Sequence, residues 1–256
     1  MKILIIGDIH GREFWEEAVE KYGKECDKII MLGDIVDPYS HEGYTRKQAI
    51  KTLEKVIEFK LNNREKTVLL IGNHDAHYFI KSFPRSSRYD SSNAYKLREI
   101  YSKSKGLFKL AHEETINGKR YLFTHAGLMN SWVKRNEKVI GEPTPESLNR
   151  LIDVPRGVAA LAEMSRYRTW IGEKTGSILW SDVREKIDDK SEIDNIVPDD
   201  DSIVEMYDYQ IFGHTQLTDK PIITDKWACI DCRKAFILDE DGTLTSVTEE
   251  KENKED

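Results

Sequence analysis

The sequence predicts an α/β fold of two packed sheets flanked by helices. Three observations carry that expectation. Residues 2–75 alternate short apolar runs with amphipathic stretches in the order β-α-β-α-β, the pattern of a parallel sheet. The middle of the chain switches to strands joined by a tight hairpin turn. From Tyr209 onward the chain returns to short strands.

Residues 2–6 (KILII) are short and apolar, as a strand buried on both faces should be. Residues 12–22 follow as a helix, with Phe14, Trp15, Ala18, Val19 and Tyr22 on one face. Lys28 to Leu32 is the second strand, and a loop runs from Pro38 to Gly43. A long amphipathic helix spans Thr45 to Leu61, with Ile50, Leu53, Val56, Ile57 and Leu61 inward. Thr67 to Ile71 is the third strand. The stretch 77–92 is polar and broken by Pro84, and Ala94 to Lys103 has helical spacing. Leu107 to Leu110, Glu113 to Ile116 and Lys119 to Thr124 read as successive strands, the last two joined by the hairpin signal Asn117-Gly118. Residues 130–208 read as a mostly helical insert interrupted by Gly141, Pro143, Pro145 and Pro155, with Val158 to Met164 helical and an acidic loop over 185–202. The strands YQIFG, PIIT, KWACID and KAFIL follow, and Asp241-Gly242 marks a further hairpin. The expected organisation is one domain over 1–248 with a charged, disordered tail at 249–256.

Charged residues make up 33% of the 256, and the net charge is -7, which argues against a protein that coats nucleic acid. No apolar run is long enough to span a membrane. The three cysteines (Cys26, Cys229, Cys232) do not form a disulfide framework, so a reducing, cytoplasmic setting is expected. Cys229 and Cys232 have no second pair to complete a zinc site and read as ordinary strand cysteines.

The chemistry gathers at strand ends. The stretch IIMLGDIVD closes an apolar strand with glycine and then places Asp34 and Asp37 three residues apart. Carboxylates just past the C-terminal ends of strands face the crevice in which open α/β sheets hold ligands. KILIIGDIHG and TVLLIGNHD repeat the pattern with Asp8 and His10, and with Asn73, His74 and Asp75. On an extended backbone Asp8 and His10 point the same way. Asp8 alone would read as a helix cap, and Gly-Asn or Gly-Asp alone as a turn, but three such ends together point to a metal site with Asp34 as the bridge between two ions. His125 and His214 each follow a further apolar strand. His112 reads as a satisfied core histidine, and His41 and His77 as solvated loop positions. Mixed Asp, His and Asn donors suit manganese, with iron or zinc as alternatives, better than calcium or magnesium.

GDIHG (7–11), GDIVD (33–37), GNHD (72–75), THAGL (124–128) and GHTQ (213–216) stand in the order found in the calcineurin-like metallophosphoesterase superfamily. The chain most resembles its serine/threonine phosphatase branch and the bacterial relatives that include symmetrical diadenosine tetraphosphatase; ILWSD (178–182) resembles a further segment of that branch. The resemblance implies a four-layer αββα sandwich of two mixed sheets with two metals at the strand ends. It implies that Asp8 and His10 bind the first ion, that Asp34 bridges, and that Asn73, His125 and His214 complete the second. It also implies His74 as general acid, oriented by Asp37, and direct attack by a metal-bridging hydroxide on phosphomonoesters. The alternatives are a nucleotide hydrolase of the diadenosine tetraphosphatase type and an inactive scaffold with the same fold. A dinucleotide-binding protein would need G-x-G-x-x-G after the first strand, and GDIHGRE lacks it.

Two departures stand out. Pro38-Tyr39 follows Asp37 where the protein phosphatases continue with Arg and Gly, and Ile71 precedes Gly72 where they have Arg. The arginine expected to grip the phosphate is therefore missing from its usual place, which weakens the case for phosphoprotein substrates. Arg12, Arg46, Arg85, Arg88, Arg168 and Arg184 stand as replacements. In addition, Gln216 stands where many phosphodiesterases and nucleases of the superfamily carry a second histidine, which argues against those activities.

Overall fold

A computed structural model describes residues 1–167, 175–192 and 195–247. The tail expected at 249–256 and the candidate Arg168 lie outside the described residues.

The chain opens with β1 (Ile3–Ile6), α1 (Phe14–Tyr22), β2 (Lys28–Met31), α2 (Arg46–Asn62) and β3 (Thr67–Leu70). Helix α2 starts on a capping box: Thr45 Oγ1 accepts from the Gln48 amide, and Gln48 Oε1 accepts from the Thr45 amide at 2.8 Å. Its inward face is Ala49, Ile50, Leu53 and Val56, whereas Leu61, expected inside, is 41% exposed on the last turn. Beyond β3 the structure departs from expectation. The chain enters α3 (Asn73–Phe79) at once, so the start of the stretch expected to be irregular is helical. Then come α4 (Ala94–Lys103), β4 (Phe108–Lys109), β5 (Ala111–Ile116) and β6 (Lys119–Thr124). The Asn117-Gly118 turn joining β5 and β6 has φ of 50° and 76°, the left-handed pair that a two-residue hairpin needs.

Among the described residues the insert supplies four short α-helices: α5 (Asn130–Arg135), α6 (Glu137–Ile140), α7 (Pro145–Asn149) and α8 (Pro155–Leu161). Helices α7 and α8 each begin on a proline, where its missing N–H costs nothing. Strands β7 (Tyr209–Phe212), β8 (Ile222–Ile223), β9 (Trp227–Cys229), β10 (Ala235–Leu238) and β11 (Leu244–Ser246) complete the fold.

Two mixed sheets result. The first runs β11-β10-β1-β2-β3-β4, parallel across β1 to β4 and antiparallel at β10 and β11. The second runs β5-β6-β7-β9-β8, parallel only at β6-β7 and β7-β9. Strand β4, expected in the meander, instead extends the first sheet beside β3. Alternation along the strands separates the faces. Ile3, Ile5, Ile30, Leu32, Val68 and Leu70 meet Phe123, Ile211 and Ala228 between the sheets. Leu4, Ile6, Ile29, Met31 and Leu69 face Trp15, Ala18, Ile50 and Leu53 of the helices. On the second sheet Phe212, Trp227 and Cys229 turn away from the first and pack on Val183 and Ile187. Among the described residues no helix is long and apolar enough to cross a membrane.

Candidate metal centre

The loops after β1, β2, β3, β6 and β7 converge at one edge of the sheets. They bring together all of the residues expected there. Four of them hold left-handed backbone: His10 (φ 46°), Asp34 (50°), Asp37 (57°) and His214 (68°). Such conformations cost energy in non-glycine residues and persist where the surroundings over-determine them. His10 therefore reaches the site through a turn after Asp8 rather than by extended alternation. The glycines make room for the carboxylates: a Cβ at Gly72 would lie 2.0 Å from Asp34 Oδ1, and one at Gly213 would lie 2.1 Å from Asp8 Oδ1.

Asp34 sits between two imidazoles, with Oδ2 3.4 Å from His10 Nε2 and Oδ1 3.6 Å from His125 Nε2. The His74 amide donates to Oδ1 at 2.8 Å. His10 Nδ1 lies 2.8 Å from the Val36 carbonyl, and His125 Nδ1 lies 2.9 Å from the Leu32 carbonyl. A carbonyl only accepts, so each Nδ1 carries the hydrogen. Burial pushes His10 well below the ordinary imidazole range and His125 down to about 4, so both rings are neutral near pH 7. Each Nε2 thus turns a lone pair inward. Asn73 Oδ1 lies 3.0 Å from His125 Nε2 and 2.9 Å from His214 Nδ1, and the two ring nitrogens are 3.2 Å apart. Asp8 accepts the His214 amide on both oxygens, at 3.2 and 3.1 Å.

This donor set fits a cation. Atoms bound to one ion at about 2.1 Å stand about 3.0–3.4 Å from each other, close to the spacings found here. Asp8, Asp34 and His125 offer ligand atoms that all lie within 4.8 Å of one another. Burial first, and then Asp231 and Asp34, push the Asp8 carboxyl well above its usual range. Burial likewise raises Asp34 to about 6, although the neighbouring His74 and Arg88 favour its charge. Buried acceptors facing one another are unfavourable until a positive charge comes between them.

Beside the donors, His74 Nδ1 lies 3.1 Å from Asp37 Oδ2, and its Nε2 faces a cleft of about 380 Å³. Asp34, Tyr39, Asn73, Arg88, Trp180 and His214 share that cleft, and Gln216 lines it as well. Asp37 has two more partners: His77 Nε2 at 2.9 Å and the Tyr78 hydroxyl, donating to Oδ1 at 2.8 Å. Burial raises the Asp37 carboxyl, but the hydrogen bond from His74 and the close His77 ring more than offset this and hold it below its ordinary value.

His77 is a correction. It was expected in a solvated loop, yet it is 2% exposed and lies one helical turn after His74 on α3. His41 is exposed as expected. His112 is half-buried and lies 2.8 Å from Glu114 Oε1. Two residues with no role assigned from sequence also matter. Asp75 accepts from the Ile35 amide (3.0 Å), the Gly72 amide (3.0 Å) and the Tyr101 hydroxyl (2.6 Å), tying the second and third strand ends together. Asp231, just past β9, is buried against Asp8, and burial raises its carboxyl to about 6. Its signal was available, since WACID is another apolar strand closed by an aspartate, though without the glycine. Cys229 and Cys232 are buried free thiols.

No curated protein matches the chain. Among solved structures, it is similar to a protein serine/threonine phosphatase from Saccharomyces cerevisiae with similarity to human phosphatase PP5, at 14% identity and a TM-score of 0.55, over 99% of this chain and 82% of that one. It is also similar to a novel archaeal phosphodiesterase, at 14% identity and a TM-score of 0.40, over 97% and 100% of the two chains. Identities this low speak to the fold. The family model of the calcineurin-like phosphoesterases aligns with residues 1–216, from the first strand to just past His214, and the chain belongs to that family of phosphoric ester hydrolases.

Proposed function

We propose that this protein is a metal-dependent phosphomonoesterase working at a dinuclear centre. One observation carries the reading: Asp34 turns one oxygen to His10 and the other to His125, the placement a bridging carboxylate needs. Asp8, His10 and Asp34 would hold one ion, and Asp34, Asn73, His125 and His214 the other. Two divalent ions, manganese or else iron or zinc, would polarise the phosphoryl oxygens and supply the nucleophile from water.

The chain's own residues do the rest. The carbonyls of Val36 and Leu32 fix the tautomers of His10 and His125, so each Nε2 is ready to bind without rearrangement. Asn73 contributes a neutral oxygen, which adds a ligand and no repulsion toward an anionic substrate. Asp37 fixes the ring of His74 through Nδ1 and leaves Nε2 at the cleft, where the doubly protonated ring would give its Nε2 proton to the departing oxygen.

The test is hydrolysis by the purified protein with added manganese, comparing p-nitrophenyl phosphate, bis-p-nitrophenyl phosphate and diadenosine tetraphosphate. The expected result is preference for the monoester, abolished in Asp34→Asn together with binding of at least one metal. Preference for the dinucleotide would replace this reading with a nucleotide hydrolase. No turnover of any of the three with two ions bound would favour an inactive scaffold.

A further inference from the structure

The phosphate-gripping arginine missing from the sequence motifs has a counterpart in the cleft. Arg12 is buried and spends its guanidinium on Glu42, at 2.8 and 2.9 Å, and on the Asp8 carbonyl at 3.1 Å. Arg46 holds Asp90 at 3.0 Å, and Arg184 holds Asp182 at 2.8 and 3.0 Å. Arg85 reaches the rim of the cleft, exposed, over the Tyr89 ring at 4.6 Å. Arg88 differs from all of these. It is half-buried in the cleft wall, and its guanidinium carbon lies 3.6 Å from the centroid of the Tyr39 ring. Nη1 donates to the Asp37 carbonyl at 2.8 Å, and Nη2 lies 2.8 Å from His74 Nε2.

We propose that Arg88 binds the non-bridging oxygens of the substrate's phosphoryl group, with Tyr39 as its platform. Three observations support the assignment. A guanidinium has five donors, and the two contacts above leave the others for a ligand. Arg88 has φ of 63°, a strained backbone of the kind found at ligand clamps. The Tyr39 ring lies directly against the guanidinium, with 3.6 Å between its centroid and the guanidinium carbon, and such a face restricts the rotation of the group. Because a guanidinium only donates, His74 Nε2 accepts from Nη2 in this structure; a phosphoryl oxygen in the cleft would draw Nη2 away and free Nε2 to take a proton from solvent and pass it to the leaving oxygen.

The inference rests on the phosphomonoesterase reading and adds a charge preference to it. A dianionic monoester gains more from the guanidinium than a monoanionic diester. With the full chain loaded with manganese, Arg88→Ala is expected to raise both KM for p-nitrophenyl phosphate and Ki for inorganic phosphate by about 10- to 100-fold, as loss of a charge-assisted contact should. Metal content and melting temperature should stay at wild-type values. The loss on bis-p-nitrophenyl phosphate should be smaller. Arg88→Lys should fall between Ala and wild type. Tyr39→Leu should weaken phosphate inhibition, and Tyr39→Phe should restore it. Unchanged phosphate inhibition in Arg88→Ala, or equal losses on monoester and diester, would overturn the assignment. Calorimetric titration with inorganic phosphate needs no turnover. If the wild type hydrolyses nothing, the phosphomonoesterase reading fails, while a phosphate affinity that drops in Arg88→Ala still upholds the arginine and one that does not still rejects it.

Discussion

The same strands build two regions with opposite physics. Between the sheets, Ile3, Ile5, Ile30 and Leu70 pack against Phe123 and Ile211 on regular extended backbone. At the ends of those strands the backbone turns left-handed, and the side chains are carboxylates and neutral imidazoles facing each other. The first region is satisfied by its own contacts. The second is incomplete by itself, since its acceptors need a cation to offset them. The difference shows why the apolar strands are so short and so fully buried. They fix the positions of groups that repel one another, and the packing beneath stabilises the fold against that repulsion.

The sharpest way to separate the two regions is His74→Ala. It removes a group proposed for chemistry and none proposed for metal binding. We expect kcat to fall by about 10²–10⁴-fold, least for substrates with good leaving groups, while bound metal measured by elemental analysis stays at the wild-type ratio. Loss of metal in this variant would make His74 a ligand and redraw the boundary of the donor set.

The apolar region should respond in the opposite way. Phe123 is fully buried between the sheets, and Phe123→Ala should cost about 3–5 kcal/mol in urea unfolding. The fraction that remains folded should keep its metal-dependent turnover. A variant of normal stability and no activity would show that the interior tunes the site rather than merely supporting it.

How much was legible follows the same division. Short apolar runs closed by Gly and Asp announced β1, β2 and β3, because a buried parallel strand has few other ways to read. The hairpin at Asn117-Gly118 was equally plain, since that pair suits a left-handed turn. Helix α3 was hidden. Its first residues are the GNHD that also reads as turn chemistry, and its start is held by Asp75, which accepts the Gly72 amide at 3.0 Å. Once α3 was missed, His77 lost its position one turn after His74, and so its shared partner Asp37 went unseen, forty residues away in sequence. Strand β4 is only two residues long, too short for its pattern to say which sheet it joins. The choice of Arg88 depends on where residues 85–88 fold over Tyr39, which local pattern does not encode.

The smallest expected effect bears on the claim that the strand ends are incomplete. Asp34, Asp75 and Asp231 are raised to about 6 from an ordinary value of 3.8, chiefly by burial. A carboxyl whose folded pKa is raised binds more protons folded than unfolded between those values. Its stabilising contribution is therefore full below about pH 4 and lost as pH rises through about 6. Asp37 has the opposite sign, but its depressed pKa confines its effect to pH below about 4. His10, His112 and His125 act the other way, because a folded imidazole pKa below the ordinary 6.5 adds stability as pH rises toward 6.5. With Asp8 also raised, the carboxyls outnumber these imidazoles, and chelator-treated protein should on balance lose stability from pH 4.5 to 6.5. Metal loading should remove or reverse that slope, because ligands bind as their deprotonated forms. Urea midpoints at pH 4.5, 5.5 and 6.5, with and without metal, measure both. A metal-free protein that becomes more stable across this window would mean that the buried imidazoles and not the carboxylates dominate the strand ends, and the contrast between the two regions would fail.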